Sequence, residues 1–439
     1  MDKRFYSFFN LTEEQAIAIL DTPQSEIGET DSRYIAASHL VNYSSEQSIE
    51  ALIRAVYTNT PGLDNRIVRR KSIETLGRLK AIQAIPAIRS CLPDPDPYTV
   101  ENAVWAIGEI GTQDEQLLSE ITALLDKPQQ TYRVIIHTLA TSGYTPALEK
   151  IQPFVHDEGV PTASAAITAI CRLTGDYAAM DKVVAMLQNP SVLGRRLSIQ
   201  DLVDAHYYDA IPQISQCPVS QVFRLRGIRL LAEHGISEGV IDFAAIQSPL
   251  EQTLQDHPNT LNLIHHYPEL PSLSVLIRDL YNTDFGRCYL ASKTILEHYS
   301  ESAPLALLKD YEEEGFKDYG AHFHIVKLLG WLKYAPARNL LLTALENPQP
   351  QFQKSRAAAA IALGELGDSD SIPALKANRE TKIWSLRYAV LLSLEMLGDT
   401  SGRAMLAEDP DWWVRAKVTS LTGSGATHLN KARVIKDFE

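Results

Sequence analysis

The sequence lacks a long apolar run, because no segment approaches the roughly 18 consecutive apolar residues that a membrane-spanning helix needs. A secretory signal, with its apolar core and small-residue cleavage site, is also missing from the opening residues MDKRFYSFFNLTEEQ. Both absences favour a chain that stays in the compartment where it is made. We therefore expect a cytoplasmic protein without a membrane span.

Cysteine is scarce, and the usual catalytic motifs are missing. The four cysteines form no C-x-x-C pair, so we expect buried thiols rather than a zinc knuckle or a redox site: Cys91, Cys171, Cys217 and Cys288. There is no G-x-G-x-x-G, P-loop, H-E-x-x-H or G-x-S-x-G motif, and no two histidines lie four residues apart. These absences argue against a serine hydrolase and a metal enzyme, and we expect no metal site.

Positive charge is in deficit, with 41 Lys and Arg residues against 54 Asp and Glu residues and a formal net charge of −13. Because nucleic-acid binding needs a basic surface, we expect no nucleic-acid partner. A length of 439 residues exceeds the usual size of one globular core, so the chain is either several domains or an elongated repeat protein.

What the sequence does contain is an internal repeat. The segments SIETLGRLKAIQAIPAI and AIALGELGDSDSIPAL both place a proline nine residues after a glycine. A marker residue, three after that glycine, recurs with a mean period near 32 at Lys80, Gly111, Gly143, Gly175, His206, Gly235, Tyr267, Tyr299, Lys333, Gly367 and Gly398. Apolar residues between markers recur every three or four positions, as in VENAVWAIGEIG, which indicates helices. Two short helices per unit of this length indicate HEAT-type hairpins.

We therefore predict an all-α, HEAT-like α-solenoid of about eleven to twelve helical hairpins. The solenoid is expected over residues 31–420, between an N-terminal cap at 1–30 and a C-terminal tail at 421–439. In the cap, NLTEEQ reads as a capping box with Thr12 as N-cap and Gln15 returning the bond. No glycine-rich linker divides the repeats, which favours one architectural domain, although the units between 235 and 285 are irregular.

Two positions in each unit, three and seven residues before the repeat glycine, share a helix face that is expected to point away from the stack. We predict that a set of cationic, aromatic and imidazole side chains at these positions binds a ligand: Trp105, Arg133, His137, Arg196, Arg229, Tyr289, Lys293, Phe323 and Lys327. Such a face suits a flat, conjugated ligand with carboxylates, or an acidic protein partner. An ordinary solvated basic helix face is the alternative for any single residue.

Eight residues before the repeat glycine, five units carry an arginine that we expect to brace the preceding turn: Arg69, Arg195, Arg224, Arg356 and Arg387. The ninth unit, in FKDYGAHFHIV, has His322 there, with Asp318 four residues earlier on the same helix face. Because this carboxylate, the Tyr319 phenol and the His322 imidazole can bind and transfer protons, we predict that Asp318, Tyr319 and His322 are catalytic. Alternatively, Asp318 only caps the helix.

Three segments carry a resemblance to a known family: MDKRFYSFFNLTEEQAIAILDTPQ, DSRYIAASHLVNY and ENAVWAIGEIG. They resemble the phycoerythrin-specific branch of the E/F-type phycobilin lyases, and the likeness runs essentially from end to end. The resemblance implies a cyanobacterial cytoplasmic lyase that binds phycoerythrobilin as a substrate and has no permanently bound cofactor. Its partner would be a phycoerythrin apo-subunit, expected to be α, on which the enzyme guides thioether formation to a cysteine.

The resemblance leaves two questions open. Some members of this branch are lyase-isomerases that also convert phycoerythrobilin into bound phycourobilin, and the sequence does not separate the two activities. A solenoid fold does not by itself imply an enzyme, so a scaffold or chaperone for phycobiliprotein subunits or bilin is the alternative function.

Overall fold

A computed structural model describes residues 11–28, 31–58 and 60–423 of the chain. Residues 1–10 and 29–30 of the predicted cap, and 424–439 of the predicted tail, lie outside the described residues. The chain divides into two compact units, Met1–Met180 (unit 1) and Asp181–Glu439 (unit 2). A single architectural domain over residues 31–420 stays a prediction.

The described residues are helical, and none of them forms a β-strand. The α-helices of unit 1 are Glu13–Asp21, Arg33–His39, Glu46–Tyr57, Leu63–Arg78, Ile85–Arg89, Pro97–Ile110, Glu115–Ala123, Tyr132–Thr141, Leu148–Ile151 and Val160–Thr174. Those of unit 2, the first starting at the boundary, are Met180–Ala185, Val192–Asp204, Ile211–Gln216, Gln221–Ser237, Phe243–Gln255, Leu273–Asp279, Phe285–His298, Ala303–Asp310, Tyr319–Trp331, Arg338–Glu346, Gln353–Leu366, Ile372–Ala377, Trp384–Met396, Ser401–Met405 and Trp412–Thr422. Among the described helices, none combines the length and apolar character needed to cross a bilayer. The predicted all-α class is confirmed.

The long helices pack on one another in sequence order, as expected for stacked hairpins. In unit 1, Leu63–Arg78 packs against Pro97–Ile110, which packs against Tyr132–Thr141. In unit 2, Tyr319–Trp331, Gln353–Leu366 and Trp384–Met396 repeat the arrangement. The repeat predicted from sequence is therefore a structural repeat within each unit.

The marker residue ends the second helix of most hairpins in the left-handed conformation. Eight of the eleven predicted markers have a positive φ: Lys80, Gly111, Gly143, Gly175, His206, Lys333, Gly367 and Gly398. Glycine adopts this conformation without a steric cost, which explains why it is the commonest marker. The exceptions are Gly235, Tyr267 and Tyr299, which fall in or next to the irregular region.

The repeat glycine itself lies where neighbouring hairpins approach most closely. A Cβ on Gly330 would lie 2.5 Å from the Cβ of Ala362, and one on Gly77 would lie 2.8 Å from the Cα of Ala106. In both cases the contacted residue lies two positions before the next repeat glycine. The glycine is therefore needed for helix packing.

Local predictions of caps and braces are confirmed. Thr12 Oγ1 accepts a hydrogen bond from Gln15 N at 3.3 Å, and Thr12 N donates to Gln15 Oε1 at 3.0 Å. Each of the five bracing arginines donates to a backbone carbonyl at the end of the preceding helix or in the segment that connects it to the arginine's own helix. The four cysteines are buried free thiols.

The seventh unit departs from the predicted hairpin. After the helix Phe243–Gln255, residues 256–272 contain only the short 3-10 turn Pro258–Thr260 and otherwise extended or bent chain. The prediction of a second helix that ends before Tyr267 is therefore wrong. This segment is held by Asn262, whose backbone N–H donates to Gln216 O at 2.9 Å, and by His265, whose Nε2 lies 2.9 Å from Asp284 Oδ2.

Unit 2 also contains contacts between helices that are far apart in sequence. Arg229 Nη1 donates to Asp411 Oδ2 at 3.0 Å, and the hydroxyl of Tyr388 donates to Glu251 Oε1 at 3.1 Å. The last hairpins of the chain thus pack on helices Gln221–Ser237 and Phe243–Gln255. Hairpins of this unit therefore bury surface against distant hairpins as well as against their sequence neighbours.

Candidate functional site

Three predicted ligand-binding residues, Trp105, Arg133 and His137, lie in unit 1 and are half-buried. Arg133 Nη1 donates to Pro161 O at 2.8 Å, which ties its helix to the next hairpin. The Trp105 ring packs in the space left by Gly77, with Cζ3 lying 3.0 Å from the place a Cβ would take there. Two of the three therefore have packing roles between neighbouring hairpins.

Three further predicted cations lie in unit 2. The Arg196 guanidinium carbon lies 4.6 Å from the centre of the Phe223 ring. Lys293 Nζ is 3.8 Å from a carboxylate oxygen of Glu297 one turn later on the same helix. Arg229 is committed to the fold, because it pairs with Glu233 and Asp411 and stacks on Trp384 at 4.7 Å.

A buried group of four side chains, the Asp256 cluster, consists of Arg224, Asp256, Tyr289 and Lys327. Arg224 and Lys327 both form ion pairs with Asp256. The Tyr289 hydroxyl donates to Asp256 Oδ2 at 2.9 Å and accepts from Arg224 Nη2 at 2.9 Å. None of the four is more than 3% exposed. Two cations and a phenol thus surround one buried carboxylate.

Burial shifts the pKa values of two groups in this cluster, Lys327 and Tyr289. It lowers the pKa of Lys327 to about 8, although Asp256 opposes the shift. Burial, followed by the charge of Asp256, raises the pKa of Tyr289 well above its ordinary value. At neutral pH both groups keep their protons and donate to Asp256.

The expected exposure of three predicted residues is wrong, because Tyr289, Phe323 and Lys327 are buried. The helix periodicity that predicted exposure assumes contacts only with neighbouring hairpins. Here Asp256, at the start of the irregular segment, reaches Lys327 across 71 residues and supplies the opposite charge that burial requires. A ligand-contact role for these residues stays a prediction.

Beside the Asp256 cluster, three aromatic rings surround the ammonium of Lys354, and we name the four residues the Lys354 cage. Lys354 Nζ lies 4.1 Å from the ring centre of Phe285 and 4.8 Å from those of Tyr319 and Phe323. Within the described part of the chain, no carboxylate oxygen lies within 4 Å of this nitrogen. Burial lowers the pKa of Lys354 to about 8, and Lys327 acts in the same direction, whereas Asp256 and Asp318 oppose it.

One predicted catalytic residue, Tyr319, belongs to this cage, and a second, Asp318, directly precedes it at the start of the helix Tyr319–Trp331. Asp318 Oδ1 caps the helix by accepting from Gly320 N and Ala321 N, both at 2.8 Å. Its second oxygen, Oδ2, has no hydrogen-bond partner among the described residues. The Tyr319 side chain is 50% exposed. Asp318 is therefore a helix cap that still offers an acceptor, beside a phenol that solvent can reach.

The third predicted catalytic residue, His322, is buried. Its Nε2 lies 3.0 Å from the Tyr311 hydroxyl, and its ring packs on Phe352 with centroids 4.5 Å apart. Burial, reinforced by the charge of Lys354, lowers the pKa of His322 to about 4, so the imidazole is neutral at pH 7. His322 thus fills the bracing position that arginine occupies in other units, which fits a positioning role better than contact with a ligand.

A second imidazole, His324, lies deeper in the same region. It is 0% exposed, and neither ring nitrogen has a hydrogen-bond partner among the described residues. Its ring lies 4.9 Å from that of Phe285 and 5.1 Å from that of Tyr289. Burial lowers the pKa of His324 well below its ordinary value, so the imidazole is neutral. The neutral ring packs between Phe285 of the Lys354 cage and Tyr289 of the Asp256 cluster.

A different recess, of about 610 Å³, lies in unit 1 beside Leu11, Glu13, His39 and Tyr43. Its polar groups already hold helices together, since His39 Nε2 lies 2.9 Å from Leu11 O and the Tyr43 hydroxyl donates to the same oxygen at 3.1 Å. The Glu13 carboxylate accepts from Ser48 Oγ at 2.6 Å. Because these groups are used by the fold, the recess is a weaker candidate than the Lys354 cage.

Sequence reasoning missed Lys354, Phe285 and Asp256. Lys354 lies ten residues before its repeat glycine, outside the two positions considered, and Asp256 lies in the irregular unit. One signal could have found Lys354, because a cation in the first turn of a helix opposes the helix macrodipole.

The region around Asp318 and Lys354 can bind a flat, anionic ligand. Aromatic rings offer faces to a conjugated system, the ammonium can pair with a carboxylate, and Asp318 Oδ2 can accept from N–H groups. The half-exposed Tyr319 phenol can give or take a proton at the same place. This combination supports binding and proton transfer, without a nucleophile from the chain itself.

Comparison with known proteins agrees with the repeat architecture. A family model for HEAT repeats matches residues 60–140 and 349–422, which confirms the predicted repeat type. The chain is 64% identical over 420 residues to the uncharacterized phycocyanin operon protein Y of Pseudanabaena tenuis (strain PCC 7409), covering 96% of this chain and 100% of that protein.

Two other relatives carry names that describe a function. Identity is 34% over 373 residues with the bilin biosynthesis protein CpeY of Synechococcus sp. (strain WH8020), covering 82% of this chain and 88% of that protein. It is 28% over 244 residues with the phycocyanobilin lyase subunit alpha of Nostoc sp. (strain PCC 7120), covering 52% and 86% respectively.

Proposed function

Since the chain belongs to the E/F-type phycobilin lyases, which attach bilins to cysteines of phycobiliproteins, we propose that its substrates are phycoerythrobilin and the α subunit of phycoerythrin. The observation that carries the lyase assignment is the match to the bilin biosynthesis protein over 373 residues. The choice of bilin and subunit rests on the resemblance of the N-terminal segments to the phycoerythrin-specific branch. The same resemblance favours the cyanobacterial cytoplasm and a bilin that is bound as substrate, not as a permanent cofactor.

The reaction needs little chemistry from the enzyme. The cysteine sulfur of the subunit adds to the ethylidene double bond of the bilin, so one C–S bond forms and one C=C π bond is lost. The thiol proton leaves the sulfur and a proton is added to the bilin, so no oxidant or reductant is consumed. The enzyme must hold the bilin within reach, fix which face the sulfur attacks, and provide the proton.

Within this reaction we assign roles to the residues that border the Lys354 cage. Asp318 Oδ2 accepts hydrogen bonds from pyrrole N–H groups and stabilises the protonated bilin, while Oδ1 keeps its helix cap. The accessible Tyr319 phenol transfers the proton, and His322 positions the helix start from behind. In unit 2, Arg196 and Lys293 are candidates for the bilin propionates or for the acidic surface of the partner. In unit 1, Arg133 is a candidate for the same kinds of contact, with Trp105 and His137 near it in the repeat pattern.

Isomerisation is the open part of the proposal. Moving a double bond during attachment interrupts the conjugated system, so bound phycourobilin absorbs at shorter wavelength than bound phycoerythrobilin. The same Asp318 and Tyr319 pair would serve this step, because isomerisation removes one proton from the bilin and adds another.

The test is to incubate the purified chain with phycoerythrobilin and apo-phycoerythrin α, then measure covalent adduct on the denatured subunit. Controls are the reaction without the chain, an α subunit whose acceptor cysteine is replaced by serine, and the apo-β subunit. Faster formation of a single adduct on the α subunit supports the proposal, and the absorbance of that adduct distinguishes attachment from attachment with isomerisation. Equal rates with and without the chain would leave a bilin carrier or subunit chaperone as the function.

A further inference from the structure

The ammonium of Lys354 is a cation without a counter-ion in the part of the chain that the structure describes. Lys354 is itself half-buried. Charges withdrawn from water are ordinarily paired in proteins, and the neighbouring buried Lys327 follows this rule through Asp256. Lys354 instead faces the rings of Phe285, Tyr319 and Phe323. Ring faces attract a cation, but they do not accept its three N–H bonds as an anion does.

The position of Lys354 in the fold makes a purely structural role a poor explanation. It is the second residue of the helix Gln353–Leu366, where the macrodipole disfavours a positive charge. The preceding Phe352 makes no side-chain capping bond. A neutral side chain of similar length would fill the space among the rings without leaving a charge unpaired and without opposing the macrodipole.

Of the three rings of the cage, only Tyr319 is exposed to solvent. Phe285 is 2% exposed and Phe323 0% exposed, whereas Tyr319 is 50% exposed. A ligand that approaches the ammonium over this exposed ring passes Tyr319 and the adjacent Asp318 carboxylate. That route favours a flat molecule with an acidic group on a flexible arm, since a phosphate would find only one donor side chain here.

We propose that Lys354 binds a carboxylate of the ligand, with Phe285, Tyr319 and Phe323 holding its ammonium in place. This assignment rests on the proposed function, under which the carboxylate is a bilin propionate. A propionate on Lys354 keeps the tetrapyrrole beside Tyr319 and leaves Asp318 Oδ2 for the pyrrole N–H groups. Lys354 is thus a ligand-binding residue that the repeat pattern alone does not identify.

The experiment compares phycoerythrobilin with its dimethyl ester, in which both propionates are masked, by absorbance titration of the full chain. The proteins are wild type, Lys354→Met, Lys354→Arg and, as a matched control, Lys309→Met, whose side chain is 74% exposed. Removing a charge-assisted contact is expected to weaken binding of the free acid by about 10- to 100-fold in Lys354→Met. The ester should bind wild type and Lys354→Met equally, and Lys354→Arg should keep part of the preference for the acid.

Two results would overturn the assignment while leaving the proposed function intact. One is wild type binding acid and ester equally well. The other is Lys354→Met losing affinity for both ligands to the same degree, which would mean that the lysine only supports the fold. Circular dichroism melting of each variant separates that case from misfolding. If wild type bound neither form of the bilin, the proposed function would be wrong, and the assignment of Lys354, which rests on it, would be wrong as well.

Discussion

Arg229 and Asp411 form an ion pair at 3.0 Å across 182 residues of sequence. The pair joins the helix Gln221–Ser237 to the residue that caps the helix Trp412–Thr422. A stack of hairpins that contacts only its neighbours has no such pair. Unit 2 is therefore stabilised by specific long-range polar contacts in addition to its repeat interfaces.

The first prediction concerns this pair. Arg229→Met and Asp411→Asn should each lower the free energy of unfolding by about 1 to 2 kcal/mol, with a coupling of about 1 kcal/mol in the double mutant. Urea denaturation followed by circular dichroism measures all three. Because Arg229 was also predicted to bind ligand, the bilin affinities of the two single variants should be compared. A loss of affinity in Arg229→Met alone would indicate that Arg229 contacts the bilin.

A second prediction tests the close approach between hairpins. Gly330→Ala places a methyl group 2.5 Å from the Ala362 Cβ, so the two helices must move apart. We expect a loss of about 1 to 3 kcal/mol in unfolding free energy, although alanine is the better helix former. Gly194→Ala is the control, because the atoms nearest to its methyl group belong to the side chain of Asn189, five residues earlier in the chain, and not to the backbone of another hairpin. Equal stability of both variants would contradict the packing explanation for the repeat glycine.

Local features of the fold were predictable from sequence because they depend on residues close together in the chain. The marker position follows from the left-handed helix end, which favours glycine at Gly111 and Gly367. The bracing role of Arg69 follows from its fixed distance to the preceding turn, where it donates to Val56 O at 2.8 Å. Each regularity repeats with the period of the hairpin, so the sequence displays it many times.

The candidate site was only partly predictable, because long-range contacts decide which side chains are buried. Lys327 occupies a position that periodicity assigns to the surface, and it is buried because Asp256 neutralises it from 71 residues away. Asp256 belongs to the seventh unit, which lacks its second helix. Asp318 and Tyr319 were predicted because His322, close to them in sequence, replaces the bracing arginine of other units. Lys354 was missed because its cage is made by three rings from other helices.

A third prediction concerns the Asp256 cluster. Asp256→Asn leaves two buried cations without an opposite charge, and breaking a buried pair in this way typically costs about 3 to 5 kcal/mol. Asp126→Asn is the control, since the Asp126–Lys150 pair in unit 1 is about half exposed and solvent screens such pairs, which therefore add little to stability. Thermal unfolding should show a large shift for the first variant only. Similar shifts for both would mean that water reaches the cluster.

A fourth prediction uses pH. Burial lowers the pKa of folded Lys354 to about 8, while the unfolded chain holds that proton up to about pH 10.4. Folding therefore carries a penalty below pH 8 that disappears as pH rises towards 10.4, because the unfolded state then binds the extra proton. Lys354→Met lacks this penalty. Its stability relative to wild type should be highest below pH 8 and fall by roughly 1 to 3 kcal/mol by pH 10.4.

The other ionisable groups that act on Lys354 or face it are present in both proteins: Asp256, Cys288, Asp318, Tyr319, His322, His324 and Lys327. Of these, Lys327 also has a folded pKa of about 8, and removing the neighbouring charge of Lys354 raises that pKa, which changes the stability difference in the same direction. Denaturation is measured at several pH values between 7 and 10.5, with Lys309→Met as the exposed control. That control should show a constant difference from wild type. A constant difference for Lys354→Met as well would mean that its amine is solvated like an ordinary surface lysine.

The last prediction separates the two roles of Asp318. Asparagine caps a helix about as well as aspartate, so Asp318→Asn keeps the bonds from Gly320 N and Ala321 N while it removes the charge. If the carboxylate binds the pyrrole N–H groups, the attachment rate should fall by about 10-fold or more, the loss expected for a charge-assisted contact. Asp242→Asn is the matched control, because Asp242 also caps a helix, through Ala245 N at 3.0 Å, and is exposed. Both variants should have melting temperatures near that of wild type, and only Asp318→Asn should lose activity. Full activity of Asp318→Asn would mean that Asp318 serves only as a helix cap, because the cap is the function that the substitution preserves.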